Sequence, residues 1–322
     1  MSERTMRRAV FTRYGGPEFL EIVRVPIPAP EKGQVLIRMV AGSVSGGDLQ
    51  ARSGRARILS SMPPGWPKPL GMDVVGTVEE VGADVSSPSV GELVWAAGFG
   101  AGSYADYVVM SARDVARVPE GLDPVEAGAL PIAATTALLA LVDRARVMPG
   151  QRVLIRGAGG VGLMAVQVAH ARGAHVTALA SGATLEGVRA QGADVVEDYR
   201  AVAATDARLG AFDVILNMVA GGFEPFRARL APNGRMLTVT ADFAHPVRAF
   251  GQIGASARFG GARTRFVNDV PHAADMDCVA EAWARGAVRP VVDSMFPLEE
   301  VRAAHARAEE RGLLGRVVLT MG

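Results

Sequence analysis

The 322-residue sequence predicts an α/β protein in two parts, a doubly wound parallel sheet joined to a β-rich, barrel-like region. Three observations carry that prediction. Residues 151–180 read in succession as strand, glycine turn, helix and strand. Residues 1–120 hold many short alternating runs punctuated by Gly and Pro. Beyond residue 123, strands alternate with helical stretches, the texture of a parallel sheet covered by helices on both faces.

From the N-terminus, strands are expected at residues 9–12, 20–25, 35–40, 73–81, 93–96 and 104–109. Turn chemistry separates them: Gly15-Gly16-Pro17, Pro26-Ile27-Pro28, Pro63-Pro64 and Val90-Gly91-Glu92. Many short strands joined in this way suggest a small barrel. One helix is expected to start near Asp48, with the acid as its cap. Residues 60–70 read as an ordered loop, in which Trp66 either packs the loop or lines a ligand mouth.

At residue 123 the texture changes. Asp123-Pro124-Val125-Glu126 is a helix start with Pro at the first helical position, and residues 132–146 read as a second helix. The apolar run Val153 to Ile155, bounded by charge, is too short for a helix and reads as a buried strand. After it comes Gly157-Ala158-Gly159-Gly160-Val161-Gly162, a full G-x-G-x-x-G. Gly157 permits a tight turn, Gly159 has no side chain to hold a pyrophosphate away, and Gly162 lets the helix close on the strand. The N–H groups and positive end of that helix then face the phosphates. Glycine-rich turns are common, but a strand before this one and a helix after it point to a bound dinucleotide.

The second strand of the unit is residues 175–180. NAD binders usually carry Asp or Glu at its end for the ribose 2′-hydroxyl. Here the chain reads Ala180-Ser181-Gly182, with no carboxylate before Glu186. A serine can hydrogen-bond to a 2′-phosphate that an acid would repel, which favours NADPH, and the nearest downstream cation is Arg189. Further strands at 194–196, 212–218, 234–240 and 264–267 bring the sheet to six, a complete doubly wound unit. A helix at 275–285, a strand at 290–293, a charged helix at 298–310 and a strand at 316–320 close the chain. That tail is expected to return to the first domain, giving a division into 1–122, 123–270 and 271–322. Arg302, Arg307 and Arg311 read as a solvated face of the last helix.

Composition narrows the function. With 34 basic against 33 acidic residues, and the positive charge spread along the chain, no nucleic-acid or anionic-membrane partner is expected. The first residues lack an apolar run, so a cytoplasmic protein without a leader is expected. The longest apolar stretch, residues 127–142, is interrupted by Gly128, Pro131, Thr135 and Thr136 and reads as a buried helix, not a span. Cys278 is the only cysteine, which excludes an internal disulfide and a cysteine-based zinc site. His170, His175, His245, His272 and His305 are scattered without ligand spacing, so the chain is expected to be metal-free.

Several stretches carry a resemblance. They include Val75-Gly76-Thr77-Val78, Val90-Gly91-Glu92-Leu93-Val94, Gly102-Ser103-Tyr104-Ala105-Asp106-Tyr107 and Ala129-Leu130-Pro131 with Thr135-Thr136-Ala137. Pro149-Gly150-Gln151-Arg152-Val153-Leu154, Gly192-Ala193-Asp194 and Gly315-Arg316-Val317-Val318-Leu319 continue the series. In this order and spacing the chain resembles the medium-chain dehydrogenase/reductase superfamily, in its zinc-free quinone oxidoreductase and enoyl reductase branch. The resemblance covers nearly the whole length. It implies a GroES-like β-rich catalytic domain beside a Rossmann domain with a doubly wound parallel sheet. Zinc-containing relatives place a Cys in the segment matching Ser43 to Asp48 and a His in Gly-His-Glu. Here the first segment has no Cys and the second reads Gly71-Met72-Asp73. Ordinary alcohol oxidation is therefore not expected.

What the resemblance implies instead is NADPH-dependent hydride transfer to a C=C bond conjugated to a carbonyl, or to a quinone. The activated alkene is preferred, because Ser45 and Gln50 stand where the family often has Asn and Tyr. A cofactor-binding protein without turnover and a zinc-free carbonyl reductase are the alternatives. The candidate catalytic residues are Ser45, Asp48 and Thr136, the last matching the family's Thr near the nicotinamide amide. Beside these stand plainer readings: Ser45 as a turn residue, Asp48 as a helix cap and Thr136 bonded to its own backbone.

Gly157, Gly159, Gly160, Val161 and Gly162 are assigned to the dinucleotide, and Ser181 and Tyr199 to the 2′-phosphate. Val219 and Thr240 close strands at the crevice, and Phe266 and Val267 line the nicotinamide side. The chain departs from the family at Ala183, where a basic residue is common, and at Asn217, where an acid is frequent. A homodimer through the edge strands 234–240 or 264–267 is expected, with residues 241–265 as a cover over the substrate pocket.

Overall fold

The computed structural model describes residues 4–55, 65–220, 224–240, 263–267 and 271–322. Among the described residues, eight strands precede residue 123: β1 (Thr5–Phe11), β2 (Leu20–Pro26), β3 (Gln34–Val44), β4 (Lys68–Pro69), β5 (Asp73–Val81), β6 (Leu93–Ala97), β7 (Tyr107–Ser111) and β8 (Ala116–Arg117). The long β3 is the spine of the first sheet, which holds β5 to β8, while β1 pairs antiparallel with β2 and β4 in a small sheet of their own. Along it β5 runs antiparallel on one edge, and β7 pairs with its first half, Gln34 to Arg38. Strands β4 and β8 have two residues each, too few to leave any alternation in the sequence.

The parallel sheet comprises β9 (Arg152–Arg156), β10 (His175–Ala180), β11 (Val195–Asp198), β12 (Phe212–Asn217), β13 (Leu230–Thr238) and β14 (Arg263–Phe266). Their spatial order, β11-β10-β9-β12-β13-β14, matches the doubly wound sheet expected from the sequence. The order reverses between β9 and β12, so the crevice for a ligand opens at the C-terminal end of β9. The last two strands, β15 (Val292–Pro297) and β16 (Arg316–Thr320), lie in the first sheet, with β16 antiparallel to the second half of β3.

Of the helices α1 (Gly46–Arg52), α2 (Pro124–Ala127), α3 (Pro131–Leu138) and α4 (Gly160–Ala171), α1 and α4 contribute residues to the crevice. Helix α1 begins at Gly46, two residues before the expected start, because Ser45 and not Asp48 is its cap. The single helix expected over 132–146 divides: α3 ends at Leu138 and a wider π-helical stretch follows over Leu139–Arg144. There the Ala145 N–H reaches back to the Ala140 carbonyl at 2.8 Å, and both Leu141 and Val147 are fully buried. The final helix ends at Glu309, leaving Arg311 beyond it.

Ala133, Ala134 and Ala137 of α3 are fully buried, and their small side chains let α3 approach α4 closely. One apolar core runs from Val75 and Trp95 of the first sheet through α3 to Val153, Ile155 and Val214 of the second. Trp66 packs against Phe11 and Tyr14 in edge-to-face contacts, at 5.4 and 4.9 Å between ring centroids. The remainder of its loop at 60–64, and residues 241–262 of the expected cover, lie outside the described residues. Among the described residues no helix is long and apolar enough to cross a membrane.

Candidate active site

The glycine motif builds the floor of a cleft of about 730 Å³ between the two sheets. Gly157 has φ +98°, in the left-handed region, and a Cβ there would come within 2.9 Å of Val219. A Cβ on Gly162 would lie 1.9 Å from the Gly157 carbonyl oxygen, so only glycine permits α4 to close on β9. Gly159 differs: a Cβ there would meet nothing within 4 Å, because that face opens into the cleft. Helix α4 starts with Gly159 as its cap and no side-chain acceptor for its first N–H groups. Open space above unsatisfied N–H groups at a positive helix end is the cradle a pyrophosphate requires. The residues present therefore fit a dinucleotide.

Two polar networks support this floor. In one, Arg316 of β16 donates to Asp73 of β5 at 2.7 Å and to Ser43 of β3, while Ser43 donates to Asp73. Asp73 also accepts the N–H of Ile132 at the start of α3, at 2.7 Å. Asp73 and Arg316 are buried, and the Arg316 side chain stands against Gly160 at the start of α4. In the other, Arg156 donates to Asn217 at 2.7 Å, and Asn217 donates to Thr238 at 3.0 Å and to the Val219 carbonyl at 2.9 Å. The Arg156 guanidinium lies 4.8 Å from the centroid of Phe226, and its pKa is lowered by burial. Asn217, where the family often has an acid, thus uses both ends of an amide.

The expected residues divide into groups. Gly157, Gly159, Gly160, Ser181, Tyr199 and Val219 line the cleft together. Val161 and Gly162 lie behind it in α4. Thr240, Phe266 and Val267 stand apart from this cleft. Val267 is buried at the end of β14, its N–H bonded to the Thr238 carbonyl, and Thr240 is buried and accepts from Gln50 at 3.5 Å. That bond links α1 to the end of β13.

Ser45 and Asp48 form a reciprocal capping box on α1. The Ser45 hydroxyl donates to Asp48 at 2.6 Å and accepts the Asp48 N–H at 3.0 Å. Asp48 also accepts the N–H groups of Ser45 and Gly71. Burial pushes the Asp48 carboxyl above the ordinary carboxylate range, against the hydrogen bonds from Ser45. Thr136 donates its hydroxyl to the Ile132 carbonyl at 2.6 Å and is half-buried. Its oxygen keeps lone pairs for a donor from a ligand.

Arg156, Arg311 and Arg316 line the cleft without having been assigned to it from sequence. A signal existed for Arg316, a charge that opens the apolar run Val317-Val318-Leu319. None existed for Arg311, which the chain delivers from more than a hundred residues beyond Ser181. Arg302 and Arg311 are exposed, as a solvated face requires, and Arg307 is half-buried. Arg302 donates to the Leu20 carbonyl, and Arg307 pairs with Asp293 and Glu310.

Among the described residues, no three His, Cys, Asp or Glu side chains gather as a metal site. Residues 31–120 match the alcohol dehydrogenase GroES-like domain, and residues 191–319 match the model described as zinc-binding dehydrogenase. The quinone oxidoreductase of Sus scrofa is 33% identical, over 96% of this chain and 96% of that protein. The quinone oxidoreductase of Coxiella burnetii superposes with a TM-score of 0.86 at 26% identity, covering 99% of this chain and 100% of that one. The CurF ER cyclopropanase from the curacin A biosynthetic pathway gives the same TM-score of 0.86 at 26% identity, with 99% and 100% covered. With both halves of the fold matched along its length, the chain is an oxidoreductase of the medium-chain dehydrogenase/reductase superfamily and belongs to its zinc-free quinone oxidoreductase and enoyl reductase branch.

Proposed function

We propose that the protein is an NADPH-dependent reductase of a C=C bond conjugated to a carbonyl, or of a quinone. The observation that carries this reading is the cleft itself. An open glycine cradle at the start of α4 leads to Ser181 at the end of β10, a strand that itself ends without an acid. Relatives named as quinone oxidoreductases support the substrate class. NADPH, when bound, supplies a hydride to an electrophilic carbon. The chain's own residues bind, orient and exclude water. Thr136, whose hydroxyl hydrogen is donated to Ile132, would accept from the amide of a bound nicotinamide. Ser45 and Asp48 hold the start of α1 beside the cleft, where Val44, Gly46 and Leu49 form its wall. The Ser45 hydroxyl is already donated to Asp48, so the reading assigns both to shaping the site and takes the final proton from water. Ser45 and Gln50, in place of the family's Asn and Tyr, favour the alkene over the quinone.

The test is the loss of NADPH absorbance with a simple quinone, an enone and an enoyl thioester, with NADH in parallel. Turnover of the enone or thioester with NADPH supports the reading, and product analysis separates C=C from C=O reduction. Saturable NADPH binding without turnover of any of them would sink it and leave a protein that only binds the cofactor.

A further inference from the structure

Reduction of a C=C bond conjugated to a carbonyl puts negative charge on the carbonyl oxygen, and that oxygen needs hydrogen-bond donors held ready for it. The two hydroxyls expected at the site are committed elsewhere: Ser45 donates to Asp48 at 2.6 Å and Thr136 to the Ile132 carbonyl at 2.6 Å. A second pair of donors meets across the two halves of the fold. Gln50 of α1 donates one amide hydrogen to the hydroxyl oxygen of Thr240, just past the end of β13, at 3.5 Å. Among the described residues nothing accepts the other amide hydrogen of Gln50 or the hydroxyl hydrogen of Thr240. Thr240 is buried and Gln50 half-buried. Gln50 directly follows Leu49 and stands one helical turn from Gly46, both of which form the wall of the cleft. Thr240 lies at the C-terminal edge of the parallel sheet, where the crevice opens.

We propose that Gln50 and Thr240 form a two-donor site for the carbonyl oxygen of the substrate, assembled across the two halves of the fold, which stabilises the enolate formed by hydride transfer. This deepens the reading above and rests on it. With the two donor atoms 3.5 Å apart, a single oxygen fits at about 2.9 Å from each. As the C–H bond of the reduced nicotinamide breaks, a C–H bond forms at the β-carbon, so that NADPH is oxidised and the alkene reduced. The electron pair of the C=C bond moves toward the carbonyl oxygen, where both donors meet it, and water then delivers the proton to the α-carbon. A relay fixes Thr240 for this task. Arg156 donates to Asn217 at 2.7 Å, Asn217 to Thr238 at 3.0 Å, and the Thr238 hydroxyl to the Thr240 carbonyl at 2.6 Å. Its direction depends on the Asn217 amide, which donates to Thr238 and so leaves the Thr238 hydrogen for Thr240. A carboxylate at 217 would accept that hydrogen instead and release Thr240. Gln50 and Asn217, both departures from the family pattern, thus belong to one construction.

The test is the single-turnover rate of hydride transfer, followed as loss of NADPH absorbance on rapid mixing with an enone and, in parallel, a quinone. It compares the wild type with Q50L, T240V and T240S. Loss of one donor slows reduction of the enone about a hundredfold in Q50L and in T240V. T240S keeps the hydroxyl and retains most of the rate. The quinone, whose hydroquinone anion is less basic than an enolate, is slowed less. NADPH affinity, titrated calorimetrically, and the thermal unfolding midpoint stay at their wild-type values in Q50L, so this variant decides the matter should T240V fail to fold. Enone rates within about twofold of the wild type in Q50L and T240V overturn the assignment while the reductase reading stands. A T240S rate as low as that of T240V, or an equal fall for enone and quinone, overturns it as well, since each marks a structural loss and not a lost donor. A wild type that reduces the quinone alone overturns the donor site and leaves a quinone reductase. Hydride transfer to neither substrate overturns the reductase reading itself.

Discussion

Gly159 and Gly162 are three residues apart and answer to different constraints. Gly162 is held by the fold, since its missing Cβ is the space occupied by the Gly157 carbonyl. Gly159 is free of the fold, since nothing stands within 4 Å of a Cβ there. The two alanine variants should therefore separate stability from binding. Gly162→Ala is expected to lose about 2 kcal/mol or more in urea unfolding through overpacking. Gly159→Ala, with an ordinary φ of −81°, should unfold within about 0.5 kcal/mol of the wild type. It should nonetheless bind the nicotinamide dinucleotide about tenfold more weakly, because the methyl group enters the cleft. Equal losses of stability in both variants would refute the distinction. At this scale the sequence was informative where a residue's role is local. The glycine spacing, Ser181 and Val219 were all readable. Asp48 was read as the helix cap and Ser45 as a turn residue, whereas Ser45 is the cap and Asp48 completes the box, because a cap depends on where the chain turns into the helix and neighbouring polar residues compete for that place.

At the scale of elements, the crevice is held open by a buried ion pair. Asp73 joins β5 to β16 through Arg316, to β3 through Ser43 and to α3 through the Ile132 N–H. Asp73→Asn keeps the volume and one acceptor but leaves the Arg316 charge buried without its carboxylate. Breaking one side of such a pair is expected to destabilise the protein by about 3–5 kcal/mol in urea unfolding. A change below about 1 kcal/mol would mean that the pair holds nothing together. The elements that sequence reading missed or misplaced were short or irregular: β4, β8 and the π-helical stretch after α3. Two-residue strands have no periodicity to detect, and a widened helical turn is chosen by the core it fills.

At the scale of the molecule, residues far apart in the chain meet in buried clusters. Arg52 of α1 is fully buried and donates to the His305 ring at 3.2 Å, to the Gly15 carbonyl at 2.7 Å and to Glu309. Burial, followed by the charge of Arg52, holds His305 at a pKa of about 3, below its ordinary 6.5. Between those two values the unfolded chain binds a proton that the folded chain does not. The stability from neutral His305 is thus complete above its unfolded pKa and is lost as the pH falls below it. From pH 7 to pH 5 this group alone should remove about 2 kcal/mol, at about 1.4 kcal/mol per pH unit below the unfolded pKa. His305→Asn, which keeps an acceptor for Arg52 and does not titrate, should flatten that part of the curve. Parallel pH profiles for the two proteins in urea unfolding would exclude His305 as the source.

The sequence by itself determined the parallel sheet, its glycine turn and the dinucleotide chemistry, because each depends on residues adjacent along the chain. Alternation, turn residues and G-x-G-x-x-G are short-range patterns whose physical meaning survives without tertiary context. The tertiary structure alone decided which charges face the cleft. Arg311 and Arg316 lie in the tail of the chain, yet the return of β16 to β3 carries both to the start of α4 and the end of β10. A guanidinium on a polar segment looks the same in sequence whether it faces water or a cleft. Only the packing of one sheet against the other distinguishes the two.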